Sequence, residues 1–496
     1  MRFSELQTEL DYRQLVNDDA VLSSPDISAI EYDSREVERG ALFVCIDGFS
    51  LDGHDFAQQA VEKGAVALCV SRIVETNPRV PQIVVDNTRI ALARLGNVFY
   101  HNPSAKLDVV GITGTNGKTT TTYILDAILR AAGQKTAVFG TMETRIGGVS
   151  TSASRTTQES VRLQKLFSVC LEHDIESVAM EVSSHAIDLR RVEEVTFSVV
   201  ALTNLTQDHL DYHVTMDNYL AAKRRLFTDF KTNARVIDID TPVGEKLANE
   251  LGGKYDIITV GRQDGATLRA IDEKPQAQGT RFTLSMSGRY FQISLPLSGA
   301  YNVDNALVAA GCAFALGVSE EVIASALNAA PQVSGRLERI VCGQPFEVVV
   351  DYAHTSDSLE KALCAMREVT KGRLIVVFGC GGDRDASKRP LMGKAAGQYS
   401  DLAIATSDNP RTEDAVAILL QVIDGLKEAN ANYIVEVDRR HAIERACILA
   451  KAHDCVLIAG KGHENYQIFA HHTTHFDDRE VARESLTKIG YYLDEE

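Results

Sequence analysis

Residues 107–122, LDVVGITGTNGKTTTT, hold the densest chemistry in this sequence. Glycines stand at 111, 114 and 117, Lys118 follows, and four threonines follow it. A glycine turn that opens a helix presents backbone N–H groups and a positive helix end to an anion. Gly114, Thr115, Asn116, Gly117 and Thr120 would then wrap nucleotide phosphates. Lys118 would reach the terminal phosphates, and the Thr119 hydroxyl would hold Mg²⁺. The strict spacing for such a loop puts a glycine at position 112, where this chain has Ile112. A bare GKT occurs often by chance. The flanking elements strengthen the reading. Val109–Ile112 is an apolar run suited to a buried strand. Tyr123, Ile124, Ala127, Ile128 and Ala131 recur at helical spacing, and Gly133 is a stop signal.

Two further clusters could serve a bound nucleotide. MEVSSHAI places Glu181, Ser183, Ser184 and His185 at a strand end, and TNLTQDHLDYH places Asn204, Asp208, His209, Asp211 and His213 after another. Carboxylate and imidazole beside phosphates can hold a metal ion and align the reacting groups. From spacing alone the histidines read as structural or solvent-facing. Lys223, in the helical NYLAAKRRLF, reads as part of a solvated basic face.

The elements that must position these residues are mainly alternating strands and helices. The chain has 496 residues, room for about three domains. Short β-rich runs at 41–46, 65–70 and 81–85 with helices between them form a first α/β unit, closed by the linker-like HNPSAK at 101–106. The second block continues with strands at 137–141, 177–184 and 197–205, which calls for a mainly parallel sheet covered on both faces. Residues 265–297 change texture. TRFTLSMSGRYFQISLPL alternates about Ser-Gly and predicts a small antiparallel ribbon.

The third block is the most regular. Strands at 346–351, 373–379, 402–407, 433–437 and 455–460 each end in a charged, polar or glycine-rich loop: DYAHTSDS, CGGDRDASKRP, DNPRTED, DRRH and GKGHEN. Open α/β sheets bind ligands beyond the carboxyl ends of their strands. Turn and cap chemistry explains any one such loop. All five together point to one binding edge.

Composition narrows the class. Hydrophobic residues make up 45% and charged residues 24%, ordinary values for a globular chain. No apolar run reaches the length of a membrane span, and the N-terminus lacks a secretory apolar core. The nine cysteines are scattered, with no CxxC pair, which predicts free thiols and a cytoplasmic location. The formal charge, 51 − 68 = −17, disfavours nucleic acid as a partner.

GTNGKTT, MEVSSH, TNLTQDHLDYH, AAKRRLF, GAYNVDNALVA, SGRLE, VDYAHTSDSL, FGCGGDRD, DNPRTED and AGKGHE occur in the order seen in the Mur ligases. Together with DSREVERGALFV near the N-terminus, the resemblance spans nearly the whole chain. It implies an α/β protein of three domains. Residues 1–104 would bind a UDP-linked substrate. Residues 105–335 would form a P-loop ATPase, with a mainly parallel sheet and a small antiparallel ribbon. Residues 336–496 would form a Rossmann-like domain that binds the amino acid.

The resemblance also implies a reaction. A D-glutamyl γ-carboxylate of UDP-N-acetylmuramoyl-L-alanyl-D-glutamate is phosphorylated by ATP, and an amine displaces phosphate from the acyl phosphate. Such a protein would act in peptidoglycan precursor synthesis, with Mg²⁺, as a monomer without a membrane span. By motif, Lys118 and Thr119 serve the phosphates and a first metal ion. Glu181, His209 and Lys223 serve a second, Lys223 as a carbamate. Asn302, Arg336 and Asp351 meet the nucleotide. Ser34, Thr156, Thr157, Ser183 and Arg191 hold the UDP substrate, while Tyr32, Arg155 and Leu189 receive no role. Arg384, Asp408, Asn409, Pro410, Arg411, Gly460 and Glu464 match the set that binds the added amino acid.

That last set speaks to specificity. Meso-diaminopimelate ends in both an ammonium and a carboxylate, so its site needs an acceptor and a cation. DNPR offers Asp408 and Arg411 on one loop, and arginine can grip a carboxylate with two parallel hydrogen bonds. L-lysine has no distal carboxylate. The competing readings are a folylpolyglutamate-synthase-like ligase, a lysine-adding ligase and a nucleotide-binding protein without turnover. The N-terminal block and DNPR disfavour the first, Arg411 the second, and the intact Lys118, Thr119, Glu181, His209 and Lys223 the third.

Overall fold

The computed structural model describes residues 1–17, 24–48, 51–153, 155–276 and 279–492. Its contacts divide the chain into two compact units. One comprises Met1–Thr113, Gly133–Ala201 and Ala222–Arg235, and the other Gly114–Ala132, Leu202–Ala221 and Val236–Glu496.

The first unit opens with β1 (Tyr12–Val16), β2 (Ala29–Glu31), β3 (Ala41–Val44), β4 (Ala67–Val70) and β5 (Gln82–Val85). They pair in the order β1-β5-β4-β3-β2, parallel except for β1. Side chains alternate across a strand, so one sheet can feed two cores. Leu42 and Val44 pack with Phe3, Leu6 and Leu92 on one face, and Phe43 and Cys45 pack with Val61 and Leu68 on the other.

The same unit continues with β6 (Asp108–Thr113), β7 (Thr136–Phe139), β8 (Glu143–Ile146), β9 (Val149–Ser152), β10 (Ser177–Glu181) and β11 (Val199–Leu202). Their order is β11-β6-β10-β7-β8-β9. β6, β10 and β7 are parallel, with Glu181 opposite Ile112, whereas β8 and β9 form an antiparallel hairpin. The sequence had suggested a strand through 184. Instead β10 stops at Glu181, and Ser183 caps the helix Ser184–Asp188 by accepting from the Ala186 N–H. The strand therefore delivers Glu181 at its carboxyl end.

The second unit contains the helix Lys118–Ala131 and β12 (Ala234–Asp238), β13 (Ile257–Gly261), β14 (Leu268–Gln276), β15 (Gly279–Met286) and β16 (Arg289–Leu295). The antiparallel ribbon expected at 265–297 is β14-β15-β16, one strand larger than its sequence signal. The alanine-rich helix Ala300–Ala315 packs against Lys118–Ala131.

Residues 338–475 supply β17 (Glu338–Arg339), β18 (Glu347–Asp351), β19 (Leu374–Phe378), β20 (Leu402–Ala405), β21 (Tyr433–Val435), β22 (Cys455–Ala459), β23 (Tyr466–Ile468) and β24 (Thr473–His475). The six-stranded order is β17-β18-β22-β19-β20-β21, parallel except for β17. β19 and β22 are buried throughout, as strands covered on both faces must be. All nine cysteines are free, as their spacing predicted. No helix among the described residues is long and apolar enough to cross a membrane.

Candidate active site

The phosphate loop follows β6 directly and is clasped by the TNL segment. Asn116 N–H donates to Asn204 Oδ1 at 2.9 Å, while Thr203 Oγ1 and Asn204 Nδ2 donate to Asn116 O at 2.7 and 3.1 Å. Thr115 N–H donates to Asn204 O at 3.0 Å, and Thr115 Oγ1 accepts from the Thr206 N–H at 2.9 Å. Gly117 sits at φ +88°, and a Cβ there would lie 2.1 Å from Asn305 Oδ1. Only glycine meets both demands. As the N-cap of Lys118–Ala131, Gly117 brings no capping side chain to the first-turn amides, the groups that bind anions. Lys118 Nζ donates to Gly114 O at 2.9 Å and Thr115 O at 2.8 Å, which holds the ammonium over the loop.

Beside the loop lies a cleft lined by Asn116, Gly117, Thr120, Asn302, Arg336 and Asp351 among others. Asn302 is buried and fixed at both ends. Its Nδ2 donates to Ser298 O at 2.8 Å, and its Oδ1 accepts from Asn305 Nδ2 at 3.0 Å. Arg336 stacks over the Tyr352 ring at 4.5 Å and donates from Nη2 to Thr119 Oγ1 at 3.2 Å. Asp351 accepts from the Leu337 and Ala353 N–H groups, both at 2.8 Å. Burial raises the Asp351 carboxyl above the usual carboxylate range despite Arg336 nearby. Burial and the Lys388 charge keep His354 neutral. Asp238, also at the cleft wall, is pushed up to about 7 by burial and by Asp304.

Asp208 remains an anion. Burial opposes its charge, but His209 and Lys388 hold its carboxyl below the usual value. His209 has φ +54° and a side chain 43% exposed, standing edge-on to Tyr219 at 6.2 Å. Its exposure agrees with the solvent-facing reading, whereas His213 is buried.

In the first unit, Glu181 is buried and held by Thr141. The Thr141 N–H donates to Oε1 at 2.8 Å, and Thr141 Oγ1 donates to Oε2 at 3.0 Å. Thr156 Oγ1 joins Thr141 Oγ1 at 3.0 Å. Thr157 Oγ1 donates to Glu181 O at 2.9 Å and accepts from the Ser183 N–H at 3.1 Å. Arg191 donates to Thr157 O at 3.3 Å and pairs with Glu159 at 2.9 Å, as does Arg155 at 2.6 Å. Thr156, Thr157, Ser183 and Arg191 thus form one polar patch with Glu181. Ser34, in another part of the unit, donates to Gln59 Oε1 at 2.8 Å.

Lys223 overturns the solvated-face reading. It lies on the helix Met216–Thr228, but is only 2% exposed. Its ammonium lies 3.5 Å from Thr113 Oγ1, at the end of β6 and one residue beyond the position opposite Glu181.

The amino-acid set gathers at the carboxyl ends of β19, β20 and β22. Arg411 does not open the helix that begins at Ala415. It is half-buried at φ +53°, donates from its backbone to Ile468 O at 3.1 Å and from Nη1 to Gly382 O at 2.7 Å. Burial, then the nearby Arg384 charge, lowers its pKa, so an anion placed there would be welcome. Arg384 donates to Asp383 O at 2.9 Å. Pro410 O accepts from the Glu413 N–H at 3.1 Å, which fixes the bend of DNPR. Gly460 has φ +123°, and a Cβ there would stand 2.6 Å from Asp408 Oδ2. Asp408 and Asn409 are buried, and Asn409 Nδ2 donates to Glu464 Oε2 at 2.9 Å. Asp408 stays ionised. Burial opposes its charge, but Lys461 and Arg439 hold its carboxyl below the usual range. Burial and Asp408 raise Glu464.

Sequence reasoning missed Lys461, Asn305, Tyr301 and Tyr352. Asn305 lies three residues after Asn302 and therefore shares its helix face, a spacing that could have found it. Lys461 gave no such signal.

The Mur ligase middle domain matches residues 112–313, the Mur ligase glutamate ligase domain 335–462, and the Mur ligase family catalytic domain 26–100. The UDP-N-acetylmuramoyl-L-alanyl-D-glutamate–2,6-diaminopimelate ligase of Syntrophomonas wolfei is 45% identical over 465 residues, 93% of this chain and 95% of the relative. A solved structure of a ligase of that name has 29% identity and a TM-score of 0.69, covering 99% of each chain. The MurF ligase of Thermotoga maritima in complex with ADP shares the fold at 20% identity and a TM-score of 0.66, covering 93% of this chain and 97% of its own.

Proposed function

This chain belongs to the Mur ligase family, and from that premise we propose that it joins meso-diaminopimelate to the D-glutamyl γ-carboxylate of UDP-N-acetylmuramoyl-L-alanyl-D-glutamate, with ATP converted to ADP and phosphate. The observation that carries the choice of amino acid is the corner where Asp408, Asn409 and Glu464 stand with Arg411 on one loop system. A near-full-length relative at 45% identity bears the same activity in its name.

A carboxylate is a poor acyl donor. Transfer of the γ-phosphoryl group forms a C–O–P acyl phosphate and releases ADP. The amine, having lost a proton, then forms the C–N bond through a tetrahedral intermediate, and phosphate leaves with the C–O electron pair. The protein's part is to align the partners and neutralise charge. Loop amides and Lys118 hold the phosphates, while Asn302, Arg336 and Asp351 hold the nucleoside. Thr156, Thr157, Ser183, Arg191 and Ser34 hold the UDP substrate. The domain limits would be 1–104, 105–335 and 336–496.

Magnesium fits this residue set by donor type, since hydroxyl and carboxylate oxygens are its preferred ligands. Thr119 would hold one ion, and Glu181, His209 and Lys223 a second. Mg²⁺ would neutralise the phosphate charge. Lys223 fits only as a carbamate, because an ammonium repels a cation. Its burial and its place beside the last residue of β6 support that modification.

The test is phosphate release and product mass with ATP, the UDP-muramoyl-dipeptide and diaminopimelate. All three should be required, and the product should gain one diaminopimelate less one water. Phosphate release independent of the amino acid, with no heavier product, would overturn the assignment.

A further inference from the structure

Lys461 has no part in that reading, yet it stands at the centre of the amino-acid corner. It lies between Gly460 and Gly462 just beyond β22, and its side chain is 0% exposed. The ammonium donates to Asn409 Oδ1 at 3.0 Å and lies 3.4 Å from Glu464 Oε2 and 3.9 Å from Asp408 Oδ1. It also faces the Tyr466 ring at 5.6 Å. Asn409 Oδ1 accepts a second bond from the Ile468 N–H at 3.0 Å. One lysine therefore ties together three of the groups assigned to the amino acid: Asp408, Asn409 and Glu464.

The charges around it do not cancel. Arg439 is engaged by Asp478, through Nε at 2.8 Å and Nη2 at 2.6 Å, with both side chains 0% exposed. Arg439 Nη1 is buried without a hydrogen-bond partner. Among the described residues Asp408 and Glu464 thus share Lys461 as their ion-pair partner, one cation against two carboxylates, with Arg411 at the edge. Buried charge of one sign is costly without a counter-charge. A ligand ammonium would supply it, and Arg411 at the edge would take the carboxylate of the same zwitterion.

We propose that Lys461 is a positioning residue, which keeps Asp408 and Glu464 ionised together and aimed at the ammonium of the incoming diamino acid. The inference rests on the ligase reading and extends it to a residue that reading does not use. The other titratable or charged groups facing the cluster are Arg439, Asp478, His354, Arg411, Tyr352 and Tyr466. Burial keeps His354 neutral, and both tyrosines are pushed up. The two carboxylates are therefore the groups that titrate when the lysine is lost. With no cation between them they would share a proton, and ammonium binding would require its release.

The experiment compares Lys461→Met with the intact protein by phosphate release between about pH 6.5 and 9, each substrate varied in turn. At neutral pH the variant should raise the KM for diaminopimelate roughly 30-fold or more, with the KM for ATP within about twofold. The excess should shrink as pH rises, a response that mere loosening of the loop does not produce. An unchanged diaminopimelate KM, an equal rise for all substrates or a pH-independent excess would overturn the proposal. Should Lys461→Met fail to fold, Lys461→Arg keeps the charge but misplaces it. It should raise the diaminopimelate KM alone, and an equal rise for ATP would overturn the proposal. An intact protein with no diaminopimelate-dependent phosphate release would refute the ligase reading itself and this inference with it.

Discussion

In the phosphate loop of the proposed function the recognising atoms would be backbone amides and one lysine from consecutive residues, 114–120. In the amino-acid corner they would be side chains drawn from Arg384 to Glu464. The loop is shaped by local conformation, as at Gly117, and braced by its neighbour Asn204. The corner is shaped by charge, with Lys461 and Arg439 buried among carboxylates. On the proposed reading, backbone atoms would recognise phosphate, which every nucleotide carries. Side chains would recognise the ammonium and carboxylate that distinguish one amino acid from another. Damage to the loop should therefore stop turnover for any amino acid, and damage to the corner should change which amino acid is used.

The largest effect is expected at Lys118. Lys118→Ala should lower phosphate release on the order of a thousandfold, with binding of the UDP substrate largely retained. Calorimetry with the UDP-muramoyl-dipeptide checks the second half. Near-normal phosphate release by this variant would contradict the lysine's role.

Lys223 comes next and sharpens the contrast, because as a carbamate it would be a side chain doing work that the loop amides do not. Lys223→Ala should lose about a hundredfold or more in kcat. Added formate or acetate should restore part of it by supplying the missing carboxylate. Lys223→Arg should not respond, since its fixed positive charge still fills the position. Full activity of Lys223→Ala without added acid would end the carbamate assignment.

The smallest effect is on stability, at His463 in the loop after β22. His463 is pushed down to about 3 by burial and by Arg336 and Arg479, and its Nδ1 is buried without a partner. The fold keeps this ring neutral while the unfolded chain takes up a proton near pH 6.5. Its contribution is thus intact above pH 6.5 and is lost as pH falls from 6.5 toward about 3. His463→Gln should flatten the stability profile by up to about 1.4 kcal/mol per pH unit in that window. Denaturant midpoints measured at pH 7 and pH 5 would show this, and parallel profiles for the two proteins would contradict it.

How much of this was legible followed from how local each feature is. The strand–loop–helix around Lys118 was read from a single stretch because its atoms are consecutive. The alternation of strands gave five of the six strands of the C-terminal sheet, while β17, two residues long, left no signal. The hairpin β8–β9 was missed, since its strands are four residues each and β9 is exposed throughout. Lys223 was misjudged from its charge, although the helix periodicity carried a warning. Tyr219, Ala222 and Leu226 are buried on the same helix, and position 223 falls among them. Lys461 was beyond such reading. Its burial depends on a hydrogen bond to Asn409 and an ion pair with Asp408, some fifty residues earlier, across the ends of β20 and β22.

The central claim is that the corner around Arg411 reads both ends of a zwitterion. The direct measurement is the ratio of kcat/KM for meso-diaminopimelate to that for L-lysine, in the intact protein and in Arg411→Ala. A charge-assisted bidentate pair broken in a closed site costs about 2–5 kcal/mol. The intact protein should prefer diaminopimelate by at least the corresponding factor, roughly 30-fold. Arg411→Ala should lose most of that preference through the KM for diaminopimelate, while the KM for ATP stays put. Comparable use of lysine by the intact protein, or a preference that survives Arg411→Ala unchanged, would contradict the account.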